Sequence, residues 1–225
     1  MPISTNVSNN FSSLNMQDLV DTMSLIRLKT TKNQLPKLDL TPIQQKNINT
    51  TIPNLIQKIE NQIDYLNESE LTVKYIFKIM DLVGFESENY STFLERSLSG
   101  TVKGFQFSGT VDMMIASGFY EPKQPYFFIQ EFKKAKNPSG DPLPQLLGEM
   151  LVAQQNNSNT DLIYGVYIVG RLWYFVSLDK LNYKEYSPLD SVDSVDLKEI
   201  ILHLNWVKNN IEKQIKEKNT TINSK

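Results

Sequence analysis

The sequence predicts an α/β protein in which a mixed central sheet is flanked by helices and preceded by an N-terminal helical arm. Three observations support this class. Apolar residues recur at helical spacing up to Val83, strand-like runs follow from Val102, and a last helical pattern begins at Leu197. The order is a helix, three strands, a helix, two strands and a helix, which is typical of an α/β or α+β fold with one mixed sheet.

The first 66 residues make up the predicted arm. Thr41 and Pro42 suit an N-cap and a first helical position, and apolar residues then recur at helical spacing from Ile43 to Leu66. The arm could pack on the main domain or form a homodimer contact. Residues 67–216 form the predicted main domain, and 217–225 are expected to be a disordered polar tail.

The main domain opens with the clearest amphipathic pattern, a helix over Glu70–Val83 that ends at Gly84. A short helix is also predicted at 91–98. The other predicted elements are strands at 104–108, 110–116, 126–133, 162–169 and 172–178, and helices at 143–155 and 197–216. The strand at 126–133 is apolar on both faces, so we expect it at the centre of the sheet.

Composition restricts the chemistry. The chain has no cysteine, which excludes a thiolate zinc site. It has one histidine, His203, which argues against a histidine-based catalytic triad. His203 lies between apolar residues and is expected to be structural. Catalysis would have to use carboxylates, lysine, hydroxyls or a hard metal ion held by oxygen atoms.

Charge and hydropathy restrict the partners. The net charge of -2 argues against a broadly basic surface, but it allows a local basic groove. The N-terminal residues lack the basic start and apolar stretch of a signal peptide, and the longest apolar run is too short to span a bilayer. We therefore expect a cytoplasmic protein without a membrane partner.

Three charged residues lie within otherwise apolar strands. Asp112 is in one strand, and Glu131 and Lys133 are in the next, where residues two apart point the same way. Two carboxylates this close repel each other unless a cation lies between them. Carboxylate oxygens are typical ligands of Mg²⁺ or Mn²⁺, so such an ion is the expected occupant. Asp112 and Glu131 are therefore the predicted metal ligands, with Lys133 placed to orient water or stabilise developing negative charge.

A second interpretation of the same residues is an ordinary cross-strand ion pair on a solvent-facing surface. The apolar context favours the catalytic interpretation, because a partly buried charge is costly without a compensating partner. The helix that follows also begins near Gln145, whose side chain is able to reach the same site.

This ordered set resembles the PD-(D/E)XK nuclease superfamily, whose core is a helix, a three-stranded meander, a helix and a strand. Asp112 takes the place of the acid in the second strand, Glu131 and Lys133 that of Glu-x-Lys in the third, and Gln145 that of a glutamine in the following helix. The residue before Asp112 is Val111 rather than proline. The resemblance covers about residues 68–178 and implies a Mg²⁺-dependent hydrolase with a restriction-endonuclease-like core.

The stretch from Asn67 to Phe85 is similar to the first helix of the N-terminal nuclease domain of type I restriction subunits. This likeness implies a helix acid facing the site, and either Glu68 or Glu70 could be that acid. Both are equally consistent with acids favoured at a helix N-terminus by the helix dipole.

Other residues have two interpretations each. Lys134 and Lys136 could contact phosphates or form a solvated cluster, and Arg171 could touch a nucleic-acid backbone or simply occupy a hairpin turn. The aromatic run 173–175 could stack on bases, although packing in the core is the expectation. Glu149, one helical turn after Gln145, could support the site or lie on the surface.

The leading hypothesis is a metal-dependent nuclease that cleaves DNA or, as a second choice, RNA. The alternative is a catalytically inactive nuclease-fold module that binds nucleic acid or a protein partner. A third hypothesis is a structural protein built on the helical arm, for which Asp112 and Glu131 should lie far apart.

Overall fold

The computed structural model describes residues 3–4, 8–30, 35–135, 140–157 and 162–223. The helices are α1 (Met16–Met23), α2 (Pro42–Ile59), α3 (Glu68–Leu71), α4 (Phe77–Val83), α5 (Pro142–Asn156) and α6 (Ser194–Asn223). The strands are β1 (Asn9–Asn10), β2 (Ile26–Arg27), β3 (Ser91–Val102), β4 (Phe105–Ser117), β5 (Lys123–Lys133), β6 (Ile163–Val169), β7 (Leu172–Asp179), β8 (Asn182–Glu185) and β9 (Leu189–Asp190).

The strands form one mixed sheet in the order β1-β4-β5-β6-β7-β8-β2, with β3 paired to β4 and β9 paired to β7. β3, β4 and β5 form an antiparallel meander. α5 then crosses over to β6, which runs parallel to β5, and β7 returns antiparallel to β6. The predicted mixed α/β architecture is confirmed, and β5 is central as its apolar sequence predicted.

Helices cover both faces of the sheet. One apolar cluster, the α6 layer, joins the sheet to α2, α3, α4 and α6. The other, the α5 layer, joins it to α1 and α5. The two layers explain why the central strands carry apolar residues on both sides.

The first 66 residues pack on the main domain, which is one of the two arrangements considered for the arm. β1 pairs with β4 and β2 pairs with β8, so this region contributes to the sheet itself. The apolar stripe of α2 is buried in the α6 layer of the same chain. The stripe considered for a homodimer contact is therefore used within the chain.

The helix before β3 begins at Glu68, two residues earlier than predicted. Asn67 caps it, and the side chain of Glu70 returns to the backbone N–H of Asn67 at 3.2 Å, which completes a capping box. A π turn over Thr72–Ile76 joins α3 to α4. The helix ends at Gly84, whose φ of 72° is the left-handed conformation that glycine accepts at a helix C-terminus.

Three other predictions need correction. The predicted helix at 91–98 is the first part of β3, because continuous pairing with β4 outweighs local propensity. The two strands predicted at 104–108 and 110–116 are one strand, β4. Gly109 does not interrupt it, since a Cβ there would lie 2.6 Å from the ring of Phe11 and the missing side chain makes room for that ring. α6 extends to Asn223, so the helix does not end at the predicted boundary at 216.

Within the described ranges, no helix has both the length and the apolar character needed to cross a bilayer.

Candidate active site

Strand pairing brings the predicted acids together. Met113 pairs with Gln130, so Asp112 on β4 stands opposite Glu131 on β5. Asp112 also accepts a 2.7 Å hydrogen bond at Oδ2 from the backbone N–H of Phe132. This bond fixes the Asp112 carboxylate against β5 beside Glu131.

Glu131 and Lys133 project from the same side of β5. The Lys133 ammonium donates a short hydrogen bond to Glu131 Oε1, and both side chains are buried. The pair is therefore not the solvent-facing ion pair of the second interpretation. A buried pair is costly to maintain for stability alone, because both ions lose their hydration.

The pKa values reflect this crowding. Burial and the neighbouring charge of Asp112 raise the pKa of Glu131 to about 8. Burial also raises the pKa of Asp112, and the charge of Glu68 acts in the same direction. Burial alone would lower the pKa of Lys133, but its hydrogen bond to Glu131 and the charges around it raise that pKa instead. The two carboxylates thus hold a proton at neutral pH unless a cation replaces it.

α5 adds a third acid. Asp141 caps the helix and Pro142 occupies its first turn, which directs the next residues onto the sheet. Gln145 Nε2 donates a 3.3 Å hydrogen bond to Glu149 Oε1, and Glu149 is completely buried. The surface interpretation of Glu149 is wrong. Burial, followed by the charge of Glu131, raises the pKa of Glu149 well above its usual value.

Two of these carboxylate oxygens are unsatisfied. Among the described residues, neither Glu131 Oε2 nor Glu149 Oε2 has a hydrogen-bond partner, and both are shielded from solvent. Buried acceptors without partners are rare and costly in folded proteins. A proton or a cation at this site would satisfy them.

A cavity of about 430 Å³ opens beside the acids on the α3–α4 side of the sheet. Asp112, Phe132 and Glu68 are among the residues that line it. Glu70 instead forms an ion pair with Lys74 at 2.8 Å, which lowers the pKa of its carboxyl. Of the two candidate helix acids, only Glu68 faces the Asp112 side, and Glu70 serves as a cap.

β3 is distorted opposite Asp112. Glu95 has a φ of 48°, a left-handed conformation that non-glycine residues seldom adopt. Phe93 and Leu98 pack in the same α5 layer although they are five residues apart, and Val111 and Met114 do so although they are three apart. Regular alternation would put the members of each pair on opposite faces, so side-chain direction switches in both strands at this point.

The distortion turns Leu94, Glu95 and Arg96 towards the same cavity, which an undistorted strand would not do. Sequence reasoning missed Arg96, since it lies in the segment predicted as a helix. The only sequence signal is an arginine in a strand next to the Asp112 strand, and that signal requires the strand to be recognised first.

The residues predicted to bind nucleic acid are scattered. Lys134 directly follows β5 and is partly exposed, whereas Lys136 lies outside the described residues. Arg171 sits in the β6–β7 turn and forms an ion pair with Asp190 at 3.1 Å, so its charge is already matched. Trp173 and Phe175 are buried in the core, as the packing interpretation predicted.

The donor set fits a hard metal ion in part. Asp112 and Glu131 lie on adjacent strands and each has a raised pKa. A divalent cation would offset their mutual repulsion and would satisfy the unpartnered Glu131 Oε2. Among the residues that the structure describes, no group of three or more potential side-chain ligands is close enough to hold an ion. A site with two carboxylates would need water, backbone or substrate oxygens, and Mg²⁺ usually binds in this way.

Comparison with known proteins adds no relative: no family model matches the chain, and no curated protein is significantly similar to it.

Proposed function

We propose that this protein is a divalent-metal-dependent nuclease with a restriction-endonuclease-like core of the PD-(D/E)XK type, acting on DNA. The observation that carries the proposal is the cluster on adjacent strands of the meander in which the half-buried Asp112 stands beside the buried Glu131 and Lys133. The helix, meander, helix and parallel strand follow one another in the order that the resemblance implies.

In this proposal, Asp112 and Glu131 hold Mg²⁺ or Mn²⁺. The ion would supply a Lewis acid that acidifies water and neutralises charge on the phosphate. Lys133 exchanges its bond to Glu131 for one to the attacking water or to a phosphate oxygen. A water oxygen bonds to phosphorus, the bond to the leaving oxygen breaks, and the water proton passes to solvent while the leaving oxygen takes up another.

Gln145 and Glu149 support this arrangement from α5. The Gln145 amide holds the Glu149 side chain, and Glu149 faces Glu131 closely enough for their charges to interact. The α5 pair would thus orient the Glu131 carboxylate through this charge interaction. Glu68 stands on the cavity side, where it would contact water or substrate near Asp112.

The second candidate is an inactive nuclease-fold module that binds nucleic acid or a protein partner. The observation in its favour is the incomplete ligand set within the described ranges, where carboxylates do not form a group of three. An inactive module would bind DNA without a metal-dependent reaction.

The deciding experiment compares wild-type protein with Asp112→Asn. Calorimetric titration of Mn²⁺ should give saturable binding to the wild type that is lost in the variant. Cleavage of plasmid and single-stranded DNA in Mg²⁺ should fall about a thousandfold in the variant, equivalent to about 4 kcal/mol of transition-state stabilisation.

The matched control is Asp81→Asn, which removes the same charge from an exposed position on α4. It should leave both metal binding and cleavage unchanged. A wild-type protein that binds no metal and cleaves neither substrate would contradict the proposed nuclease activity. DNA binding without cleavage would support the inactive module.

A further inference from the structure

The cavity beside Asp112 contains one strong cation donor. Arg96 lines it together with Glu68, Glu95 and Asp112, so a positive charge lies among three acids. Its guanidinium Nε is shielded from solvent and, among the described residues, makes no hydrogen bond. A guanidinium N–H that is shielded from solvent and has no acceptor is a group that an oxyanion would satisfy.

The nearby acid is held loosely. Glu121, in the turn between β4 and β5, brings Oε2 to 3.8 Å from Arg96 Nε, beyond hydrogen-bonding distance. The Glu121 side chain is largely exposed and that of Arg96 is partly exposed, so the attraction is weak and an anion with better geometry can replace it. A phosphodiester offers two oxygens that match the guanidinium fork.

The backbone supports this role for Arg96. The left-handed Glu95 immediately before it is the residue at which side-chain direction in β3 switches. Unusual backbone of this kind costs free energy and is concentrated at functional sites. Here its effect is to bring the Arg96 side chain to the cavity that contains Asp112.

The same turn carries two exposed aromatic residues. Phe119 and Tyr120 are 78% and 85% exposed, and their rings contact each other edge to face. Tyr120 is the residue next to Glu121, so the pair lies close to the acid that faces Arg96. Exposed aromatic rings beside a phosphate-binding cation are typical of proteins that bind unpaired bases.

We propose that Arg96 binds a backbone phosphate of single-stranded DNA, that this phosphate replaces Glu121, and that neighbouring bases stack on Phe119 and Tyr120. The role deepens the proposed nuclease function, on which its link to cleavage rests. The substrate class is DNA with an unpaired segment, held by one phosphate beside the acidic site.

The test measures binding separately from cleavage. Fluorescence anisotropy with a labelled single strand and the same sequence as duplex, both in EDTA, excludes any metal-dependent reaction. Arg96→Gln should weaken single-strand binding about tenfold and reduce the slope of log affinity against log salt by about 0.7, the value for one lost phosphate contact. The single-strand affinity of Arg96→Lys should lie between those of the wild type and Arg96→Gln, because lysine keeps the charge and loses the guanidinium fork.

Two further variants should move in opposite directions. Glu121→Gln should strengthen binding about threefold, because it removes the group that competes for Arg96. Phe119→Ala with Tyr120→Ala should weaken single-strand binding about tenfold and duplex binding less than twofold. Lys46→Gln, an equal charge change on α2, should have no effect.

The outcomes separate this inference from the proposed function. Specific binding that depends on Arg96, in a protein that does not cleave DNA, supports the inference and contradicts the nuclease. Cleavage with normal KM in Arg96→Gln, and unchanged affinity and salt slope, overturns the inference alone. Weaker single-strand binding by Glu121→Gln than by the wild type also overturns the inference. So does a wild-type protein that binds neither the single strand nor the duplex.

Discussion

Two of the places where the described residues bury ionisable groups differ in how those groups are compensated. His203 on α6 is buried, its Nδ1–H donates to the Pro36 carbonyl at 2.6 Å, and its ring packs against Phe175 and Trp206. Burial lowers the pKa of His203 to about 4, so it is neutral at physiological pH. Around Glu131, the charges of Asp112 and Glu149 are close enough to interact with it, and two carboxylate oxygens, Glu131 Oε2 and Glu149 Oε2, have no partner within the described part of the chain.

The difference separates a buried group whose hydrogen bonds are satisfied from one that needs a compensating proton or cation. A neutral ring with a satisfied donor contributes packing and one hydrogen bond, which is a stable use of a polar residue in a core. A cluster of like charges destabilises the protein unless protons or a cation compensate. The acid cluster therefore has a cost in stability, whereas His203 has none.

The largest expected effect on stability is at the structural group. His203→Ala should lower the free energy of unfolding by about 3 kcal/mol, because it leaves a cavity and an unpaired Pro36 carbonyl. Thermal melts at pH 7 would measure this. Metal binding and cleavage should remain. A variant that folds but has lost metal binding would contradict the purely structural role of His203.

A smaller effect, of opposite sign, is expected at the acid cluster. Glu149→Gln keeps the shape and the bond from Gln145 but cannot ionise, so at pH 8 it should stabilise the metal-free protein by about 1–2 kcal/mol. Below about pH 4.5 the carboxyl is protonated in both folded and unfolded states, and the advantage should vanish. Urea unfolding in EDTA across this pH range would measure it.

The sign follows from proton binding. The folded state keeps protons on Glu131 and Glu149 that the unfolded chain releases above about pH 4.5, so stability falls as pH rises. For Glu131 the loss ends near its folded pKa of about 8. A wild-type protein whose stability in EDTA increases over this range would contradict the raised pKa values, and added Mg²⁺ should recover part of the loss at pH 8.

The smallest effect is expected at Gln145. Gln145→Ala removes the donor to Glu149 and, in the proposed nuclease, should lower kcat about tenfold, because Glu149 would no longer be held near Glu131. Steady-state cleavage assays would measure kcat and KM separately. Gln155→Ala, at an exposed position on the same helix, should be neutral, and equal losses in both variants would point to a general effect on α5.

Much of the fold was predictable because it depends on local patterns. The order of the longer helices and strands after residue 104, the cap at Thr41 and the stop at Gly84 all follow from periodicity and capping residues, whereas the short strands β8 and β9 were not predicted. β3 was not predictable in this way, because Leu94 and Leu98 also fit a helix and only pairing with β4 decides between the two. Arg96 was missed for the same reason, because it lies in the segment that was predicted as a helix.

The candidate site divides similarly. Asp112 and the Glu131–Lys133 pair could be predicted to meet, since neighbouring strands and a two-residue period place them side by side. The choice between Glu68 and Glu70 could not be made, because two residues at the start of one helix differ only in which neighbour each meets. Glu70 is taken by Asn67 and Lys74, and Glu68 is left facing the cavity.

The sequence alone therefore determined the mixed α/β class and the meeting of three charged residues on adjacent strands, because spacing along a chain fixes what repeats along an element. Only the tertiary structure decided that Glu149 is buried against Glu131, that the first 66 residues complete the sheet, and that β3 turns Arg96 towards Asp112. These features depend on contacts between distant segments, and such contacts are set by packing and pairing that no local pattern records.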